Sequence, residues 1–395
     1  MNTFFVSTPL GFEEAALLEM KEVWPYLLAK DAKTHDLPFP EVKILQGGLE
    51  FQAEMFTGLQ LNFFLKTASR ILLRMAVFKA RDLPKFYGKM RSLPWLEFLA
   101  HANVEWEVSA QKSRINNEKR LQDAASEALN EIFKDVQGPT PCGSIYIRMF
   151  DDNCTISLDT TGEHLHKRGA TILKGEAPLR ETIAAFLLKA MIENETPADL
   201  EKITLMDPMV GSGTFLTEGR TMGAGQFTRK FAFQDWKRAP KLFLSPAFAF
   251  NYELPARKGF AAYKGNDIDP EMKEVVEKNF AEVERQLAAY QRKSFVKADL
   301  SISTVDSLKN LEKSVTPTWM IVNPPYGERL DKAAGGMKIN ELAERLCKFG
   351  TPQKLGILFP ENLPLTVAPI GFKVLKEIKI NNGGIRCLFT VLTSL

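Results

Sequence analysis

With 395 residues, 45% of them apolar and 25% charged, the chain has the composition of an ordinary folded protein and exceeds what one core usually supports, so two or three domains are expected. No uninterrupted apolar run of about 20 residues is present to span a membrane, and the start MNTFFVSTPLGFEE lacks the basic and apolar regions of a secretory signal, which points to a soluble, cytoplasmic chain. The net charge of +3 is too small to name a partner, and Cys142, Cys154, Cys347 and Cys387 lack C-x-x-C spacing, so reduced structural thiols and no metal are expected.

In chain order, FFVSTP predicts a strand and GFEEAALLEMKEVWPYLL a helix whose Ala16, Leu17, Met20, Val23 and Trp24 fall near one face. The polar, Pro-containing AKDAKTHDLPFPE reads as an exposed loop, and KILQGGLEFQAE as two strand pieces broken at Gly47 and Gly48. LQLNFFLKTASRILLRMAVFKA carries a helix into a strand, NEKRLQDAASEALNEIF predicts a helix, and SIYIRMFDDNCTISLDTTG alternates like two antiparallel strands turning at Asp151 to Asn153. Between Lys66 and Arg120 twelve basic residues face five acidic ones, interleaved with Phe86, Tyr87 and Trp95. That pattern suits phosphate binding with some base stacking, and equally a solvated helix face with snorkelling lysines.

After about residue 170 strands alternate with helices, as in a doubly wound parallel sheet. The predicted strands are KITLMDP, AAYKGNDID, SFVKADL, WMIVNPP and KLGILFP, followed by a pair around VLKEIKI and RCLFTVLTS, seven in all. Ligands of such sheets sit at the carboxyl ends of the strands beside the topological switch point, so the motifs there carry the chemistry.

DPMVGSGTF follows the first of these strands. Gly211 and Gly213 permit a tight turn and close approach of a ligand, and the helix that follows offers amide donors. The spelling excludes a G-x-G-x-x-G fingerprint, because Leu216 takes the third glycine position, and excludes a P-loop, because no Gly-Lys-Ser/Thr follows. Asp207 at its head can accept from a cationic amino group. In GNDIDPEM, Asp267 is placed to take both hydroxyls of a ribose, and Asp269 before Pro270 reads as a helix cap. In VKADL, Asp299 is expected at a strand end, where it would accept from an adenine amino group or serve as a plain loop acid.

The last motif is VNPPYGERL. An exocyclic amino group on a nucleobase is a poor nucleophile, since its lone pair is delocalised into the ring, so a site that methylates it must fix the nitrogen with acceptors. The side-chain carbonyl of Asn323 and the backbone carbonyl of Pro324 supply two, Pro325 stiffens the turn, and Tyr326 can stack on a base presented out of its helix. His164 and His166 alternate on a short stretch without a third ligand, which favours a structural junction over a metal site, and Arg168 beside them is a candidate phosphate contact.

Together DPMVGSGT, GNDID and NPPYGERL resemble the class I S-adenosylmethionine-dependent methyltransferases of the amino-methylating NPPY type. More narrowly, DTTGEHLHKRG, APLRETIAAFLL and the closing KINNGG resemble the bacterial guanine-N2 methyltransferases of 23S ribosomal RNA, the RlmL group, which carry an N-terminal THUMP domain. The resemblance implies an α/β fold, with a ferredoxin-like region over 1–62, a THUMP RNA-binding domain over 63–160, a linker over 161–176 and a seven-stranded Rossmann-like methyltransferase domain over 177–395. It implies S-adenosylmethionine as cofactor, held by Pro178, Thr182, Asp207, Pro208, Gly211, Gly213, Thr214, Asp267, Ile268 and Asp299. Asn323, Pro324, Pro325 and Tyr326 would hold the target base, and Lys112, Arg114, Lys119 and Arg120 would meet the RNA. Val210 departs from the family, many members of which have Cys there, and the interval from Gly219 to Tyr263 resembles the family's insertion. A monomer acting on ribosomal RNA is expected; transfer-RNA guanine-N2 methylation, adenine-N6 methylation and a non-catalytic RNA-assembly role are the alternatives.

Overall fold

The structure is a computed structural model that describes residues 1–29, 36–169, 179–193, 195–252, 259–291, 295–310, 317–325 and 339–395. The chain divides into two compact units, Met1–Leu165 with Arg229–Glu253, and His166–Thr228 with Leu254–Leu395. Part of the loop expected over AKDAKTHDLPFPE, residues 30–35, lies outside the described residues.

The first unit is built on β1 (Asn2–Ser7), β2 (Val42–Leu45), β3 (Gly48–Ala53), β4 (Arg70–Lys79), β5 (Glu105–Gln111), β6 (Ser144–Phe150) and β7 (Asn153–Asp159). They form one seven-stranded sheet in the order β2-β3-β1-β4-β7-β6-β5. Its helices are α1 (Glu13–Val23), α2 (Met55–Phe64), α3 (Leu83–Ser92) and α4 (Glu118–Phe133). The pairs are antiparallel apart from β5 with β6, where α4 supplies the long connection that a parallel pair needs. Helix α4 starts where the Asn117 side chain accepts the Arg120 N–H at 3.0 Å, and it buries Leu121, Ala125, Ala128, Leu129 and Phe133 along one stripe. Between β6 and β7 the turn is two residues, Asp151 and Asp152, both left-handed at φ 49° and 58°, the geometry a tight hairpin requires.

The expected boundary between residues 62 and 63 falls inside α2, and β1 pairs with both β3 and β4, so one sheet runs across it. Residues 229–253, expected in the C-terminal domain, cluster instead with the first unit. The reason is aromatic packing: Phe63 of α2 lies 5.0 Å from Phe231 and 4.7 Å from Phe248, and Phe56 stacks on Phe243 at 4.7 Å. Tyr252 adds an O–H donated to Gln60 Oε1 at 2.8 Å.

The second unit holds β8 (Thr204–Asp207), β9 (Ala262–Asp267), β10 (Leu300–Thr304), β11 (Thr318–Val322), β12 (Lys354–Pro360), β13 (Phe372–Asn382) and β14 (Ile385–Ser394). Their order is β10-β9-β8-β11-β12-β14-β13, parallel apart from β14, which runs antiparallel to β12 and β13. All seven strands expected from the sequence are present; the third is displaced toward the C-terminus. Among the described residues the unit also holds helices α5 (Glu181–Met191), α6 (Pro197–Leu200), α7 (Thr214–Arg220), α8 (Glu271–Gln291) and α9 (Ile339–Gly350). Every residue of β8 and β11 is buried, as expected for central strands covered on both faces. Met206 and Met320 share a core with Leu342, Ala343 and Leu346 of α9. On β8 the neighbouring Leu205 faces α7, where Gly219 lets the helix approach: a Cβ there would come within 2.6 Å of Leu205.

Candidate active site

Strand register assembles the site. Asp207 is opposite Gly265 of β9, Thr304 of β10 is opposite Asp267, and on the other side of β8 Met320 of β11 is opposite Met206. Carried forward, this places Asp267 and Asn323 at one level, a strand to either side of β8 and two residues, about 7 Å, beyond Asp207. The strand order reverses between β8 and β11, and a crevice at such a reversal is where open α/β sheets bind ligands.

Asp207 is only 3% exposed and accepts the Met209 N–H at 3.1 Å. Burial pushes its carboxyl up to about 8, and nearby Asp267 adds to the shift. The loop after it turns at Gly211 (φ 48°) and Gly213 (φ 84°), backbone that favours glycine. The two glycines do different work. A side chain at 211 would meet nothing within 4 Å, so this backbone is open to a ligand, whereas one at 213 would come within 3.0 Å of Val276 of α8. Pro208 and Thr214 are buried around the same loop.

Two asparagines that sequence reasoning missed hold the site together. Fully buried Asn266 donates through Nδ2 to Val305 O (2.8 Å), to Pro208 O (3.3 Å) and to Ser307 Oγ, and its Oδ1 accepts Ser303 Oγ (2.9 Å) and Val305 N (3.0 Å). One side chain thus laces the loops after β8 and β10 to the end of β9. Asn279 of α8 donates to Ser212 O at 2.9 Å and pins the glycine loop from behind. The signal for Asn266 was its place inside a strand pattern, where a polar residue needs buried partners.

Asp267 uses one oxygen to accept Gly211 N–H (2.9 Å) and the other for Asp269 N–H (3.0 Å), leaving each oxygen a second lone pair for a hydroxyl. Asp269 in turn accepts Glu271 N–H at 2.9 Å, as expected of a residue at the start of α8. Ile268 beside it is 63% exposed, an apolar surface at the mouth of the site. Thr182, near the start of α5, is buried, and its hydroxyl has no partner among the described residues. Asn323 is half-buried directly after β11, with Pro324 buried and Pro325 half-buried. Pro178 and Tyr326 lie outside the described residues.

Asp299 is a correction. It precedes β10 and its carbonyl accepts Tyr263 N–H at 2.8 Å, at the amino end of the sheet. Thr304, five residues on, is the one level with Asp267, so Asp299 sits about 16 Å below the site. The acid that does follow β10 at the correct end is Asp306, whose Oδ1 accepts Leu308 N–H at 3.0 Å and whose Oδ2 pairs with Lys309 at 3.0 Å. The Lys309 hydrogen bond holds its carboxyl below the usual range. Arg168 is a second correction: it is buried and donates through Nε to Glu218 Oε1 at 2.7 Å, an internal ion pair rather than a phosphate contact.

In the first unit much of the basic run is buried or already paired with acids. Lys66 is buried, Arg70 pairs with Asp159, Arg74 with Glu50 at 3.3 Å, Arg81 with Asp152 at 3.1 Å and Arg91 with Glu131 at 2.5 Å. Phe86 and Trp95 are fully buried, so they cannot stack on bases. Lys112, Arg114, Lys119 and Arg120 are all exposed. Lys112 Nζ lies 5.5 Å from the Phe150 ring, Arg114 N–H donates to Asp152 at 2.9 Å, and Lys119 pairs with Asp123 at 2.8 Å. Among the described residues no helix is long and apolar enough to cross a membrane, and no group of three or more His, Cys, Asp or Glu is placed to hold a metal ion.

Residues 168–390, which carry the second unit's sheet and loops up to β14, match a family model described as the RMKL-like methyltransferase domain. The chain belongs to this family. Over 98% of its length it is 26% identical to the ribosomal RNA large subunit methyltransferase K/L of Psychromonas ingrahamii, covering 50% of that protein. The chain therefore spans about half the length of the K/L relatives it matches. It is 27% identical to the putative RNA methyltransferase YpsC of Bacillus subtilis, over 97% of this chain and 94% of the relative. Among solved structures, SMU.472, a putative methyltransferase complexed with SAH, superposes with a TM-score of 0.73 at 23% identity, covering 100% of this chain and 98% of that one. TrmN from Thermus thermophilus gives 0.68 at 16% identity over 100% of both. These likenesses to solved structures show that the chain shares their fold over its whole length.

Proposed function

We propose that the chain transfers a methyl group from S-adenosylmethionine to the exocyclic N2 of a guanosine in large-subunit (23S) ribosomal RNA. The observation that carries this is the register: Asp267 and Asn323 level on either side of β8, above a buried acid whose charged neighbour among the described residues is another acid. Burial keeps such a carboxyl largely protonated at neutral pH, and it ionises when a cation arrives to pair with it, because an unpaired buried charge is costly. The donor set fits S-adenosylmethionine. Asp207 would take its ammonium group, the open backbone at Gly211 would lie along it, Asp267 would accept its ribose hydroxyls and Ile268 would cover its adenine. Asp306 replaces Asp299 as the acid for the adenine amino group, and the Thr182 hydroxyl, with Pro178, would close the pocket.

When bound, the cofactor supplies a methyl group on a positively charged sulfur. The chain's own contribution is positioning. Asn323 Oδ1 and the Pro324 carbonyl each accept one amino proton of the guanine, which turns the nitrogen lone pair toward the methyl and favours the positive charge that develops on nitrogen. Tyr326 would stack on the base once it has left its helix. No strong base is needed, since the methylated nitrogen is acidic enough to lose its proton afterwards. Lys112, Arg114, Lys119 and Arg120 would meet RNA phosphates. The names of the K/L and YpsC relatives support RNA as substrate. The domain reading proposed is a ferredoxin-like and THUMP-type RNA-binding half joined to the methyltransferase half.

Incubating the protein with purified 23S ribosomal RNA and with transfer RNA, each with labelled cofactor, and digesting to nucleosides for mass spectrometry tests this. N2-methylguanosine in the 23S sample is expected. Label confined to transfer RNA, or N6-methyladenosine, whose amino group the same two acceptors would also grip, would overturn the assignment. Asn323→Ala should lower turnover by about a hundred- to a thousandfold, with cofactor affinity by calorimetry held within a few fold.

A further inference from the structure

The hairpin of β13 and β14 rises above the strand ends that carry the site. Leu358 of β12 is opposite Phe389 and Pro360 opposite Cys387, so the turn joining β13 to β14 lies on the same edge of the sheet as Asn323. Val322 is opposite Ile357, which makes Leu358 and Phe389 level with Asn323 and leaves Arg386 and Ile385 three and four residues higher. Strand spacing puts this tip about 10 Å above Asn323 and about 10 Å to its side.

The tip is rigid. Asn382 pairs with Ile385 across a two-residue turn, Gly383 and Gly384 are left-handed at φ 61° and 92°, and Asn381 Oδ1 accepts Gly384 N–H at 2.8 Å. Glu361 N–H donates to the Arg386 carbonyl at 2.9 Å and ties the hairpin to the end of β12. On this fixed support Ile385 is 48% exposed and the Arg386 side chain reaches solvent. An exposed branched apolar side chain next to a guanidinium contributes little to folding but matches a nucleic-acid strand, one group for a base face and one for a phosphate.

We propose that Ile385 and Arg386 hold the RNA strand beside the target base, Ile385 against the base step left open by the extruded nucleotide and Arg386 on a flanking phosphate. This rests on the reading that the site methylates a base in RNA. A base reaching Asn323 has left its stack, so its neighbours in the strand lie about one nucleotide's length above the strand ends, at the height of the tip.

The test compares wild type, Ile385→Ala, Arg386→Ala, the double variant and Lys373→Ala, an exposed lysine at the other end of β13. Each is assayed for equilibrium binding to deproteinised 23S ribosomal RNA, for RNA KM and kcat, for S-adenosylhomocysteine affinity and for unfolding temperature. The double variant should weaken RNA binding and raise KM by roughly tenfold with kcat held within about twofold, and Arg386→Ala should lower the salt slope by about 0.7. S-adenosylhomocysteine binding, unfolding temperature and the Lys373→Ala values should stay at wild type. Unchanged RNA binding and KM in a double variant that unfolds at the wild-type temperature would overturn the proposal, as would an equal loss in Lys373→Ala, which would mean diffuse charge. Should wild type bind the RNA without methylating it, the proposed reaction fails, and the binding comparison still judges the tip.

Discussion

Asp159 and Asp207 are both buried aspartates at the last residue of a strand, β7 in the first unit and β8 in the second. Asp159 is finished by its own chain: it accepts Thr161 N–H at 2.8 Å and Gly162 N–H at 3.0 Å and pairs with Arg70, so burial raises its carboxyl only to about 6. Around it Asn62, Thr160 and Thr161 close a buried network, with Asn62 Nδ2 donating to Thr160 Oγ1 at 2.9 Å and Thr161 Oγ1 to Asn62 Oδ1 at 2.6 Å. Among the described residues Asp207 has one backbone donor and an acidic neighbour, and it stands at about 8. A buried acid with an internal cation is part of the fold. One without it is a site prepared for a cation that arrives with a ligand.

The contrast is broken most directly by making the same substitution at each position. Asp159→Asn leaves Arg70 without its carboxylate and should cost about 3–5 kcal/mol of stability by denaturant unfolding, with cofactor affinity retained. Asp207→Asn should do the reverse, weakening S-adenosylmethionine binding by about 2–3 kcal/mol in calorimetry through loss of a charge-assisted contact, while the ligand-free protein unfolds no earlier than wild type. If both variants lost stability alike, the distinction between a finished and a waiting acid would be wrong.

The pH profile sharpens it further. A folded-state pKa of about 8 lies above the unfolded value, so the folded protein holds more protons than the unfolded one between roughly pH 4 and 8. The contribution of Asp207 to ligand-free stability is therefore present at low pH and lost as pH rises through that window. A cationic ligand needs the ionised form, so its affinity should climb by about tenfold per pH unit up to roughly 8 and then level. In Asp207→Asn that slope should vanish. The smallest effects concern the displaced acid: Asp306→Ala should weaken cofactor binding by about 1 kcal/mol, and Asp299→Ala should leave it unchanged. A loss confined to Asp299→Ala would restore the earlier placement.

Much of this was legible from residues alone. Period-two alternation marked β6 and β7, the DPMVGSGT spelling separated this loop from a dinucleotide fingerprint and a P-loop, and the seven-strand rhythm of the second half stands in the structure. These follow from local chemistry, since glycine freedom, proline stiffness and side-chain alternation act over a few residues. Three things did not follow. Phe295 and Val296 drew the third strand too early because β10 is an edge strand with only Ile302 buried, too faint a pattern to fix its position, and the error moved the acid from Asp306 to Asp299. The basic run suggested a surface, yet burial removed Lys66 from it and the sheet brings Arg70 to Asp159 and Arg74 to Glu50, acids distant in sequence. The interval from Gly219 to Tyr263 read only as an insertion, and it took the structure to pack its Phe231, Phe243 and Phe248 against α2.

By itself, then, the sequence determined which chemistries the chain possesses: an acid at the head of a glycine loop, a second acid one strand on, and an amide followed by two prolines. Only the tertiary structure decided which of them share a level, because that depends on pairing between β8, β9, β10 and β11, and a shift of a few residues in one strand carries a side chain from the ligand end of the sheet to the other.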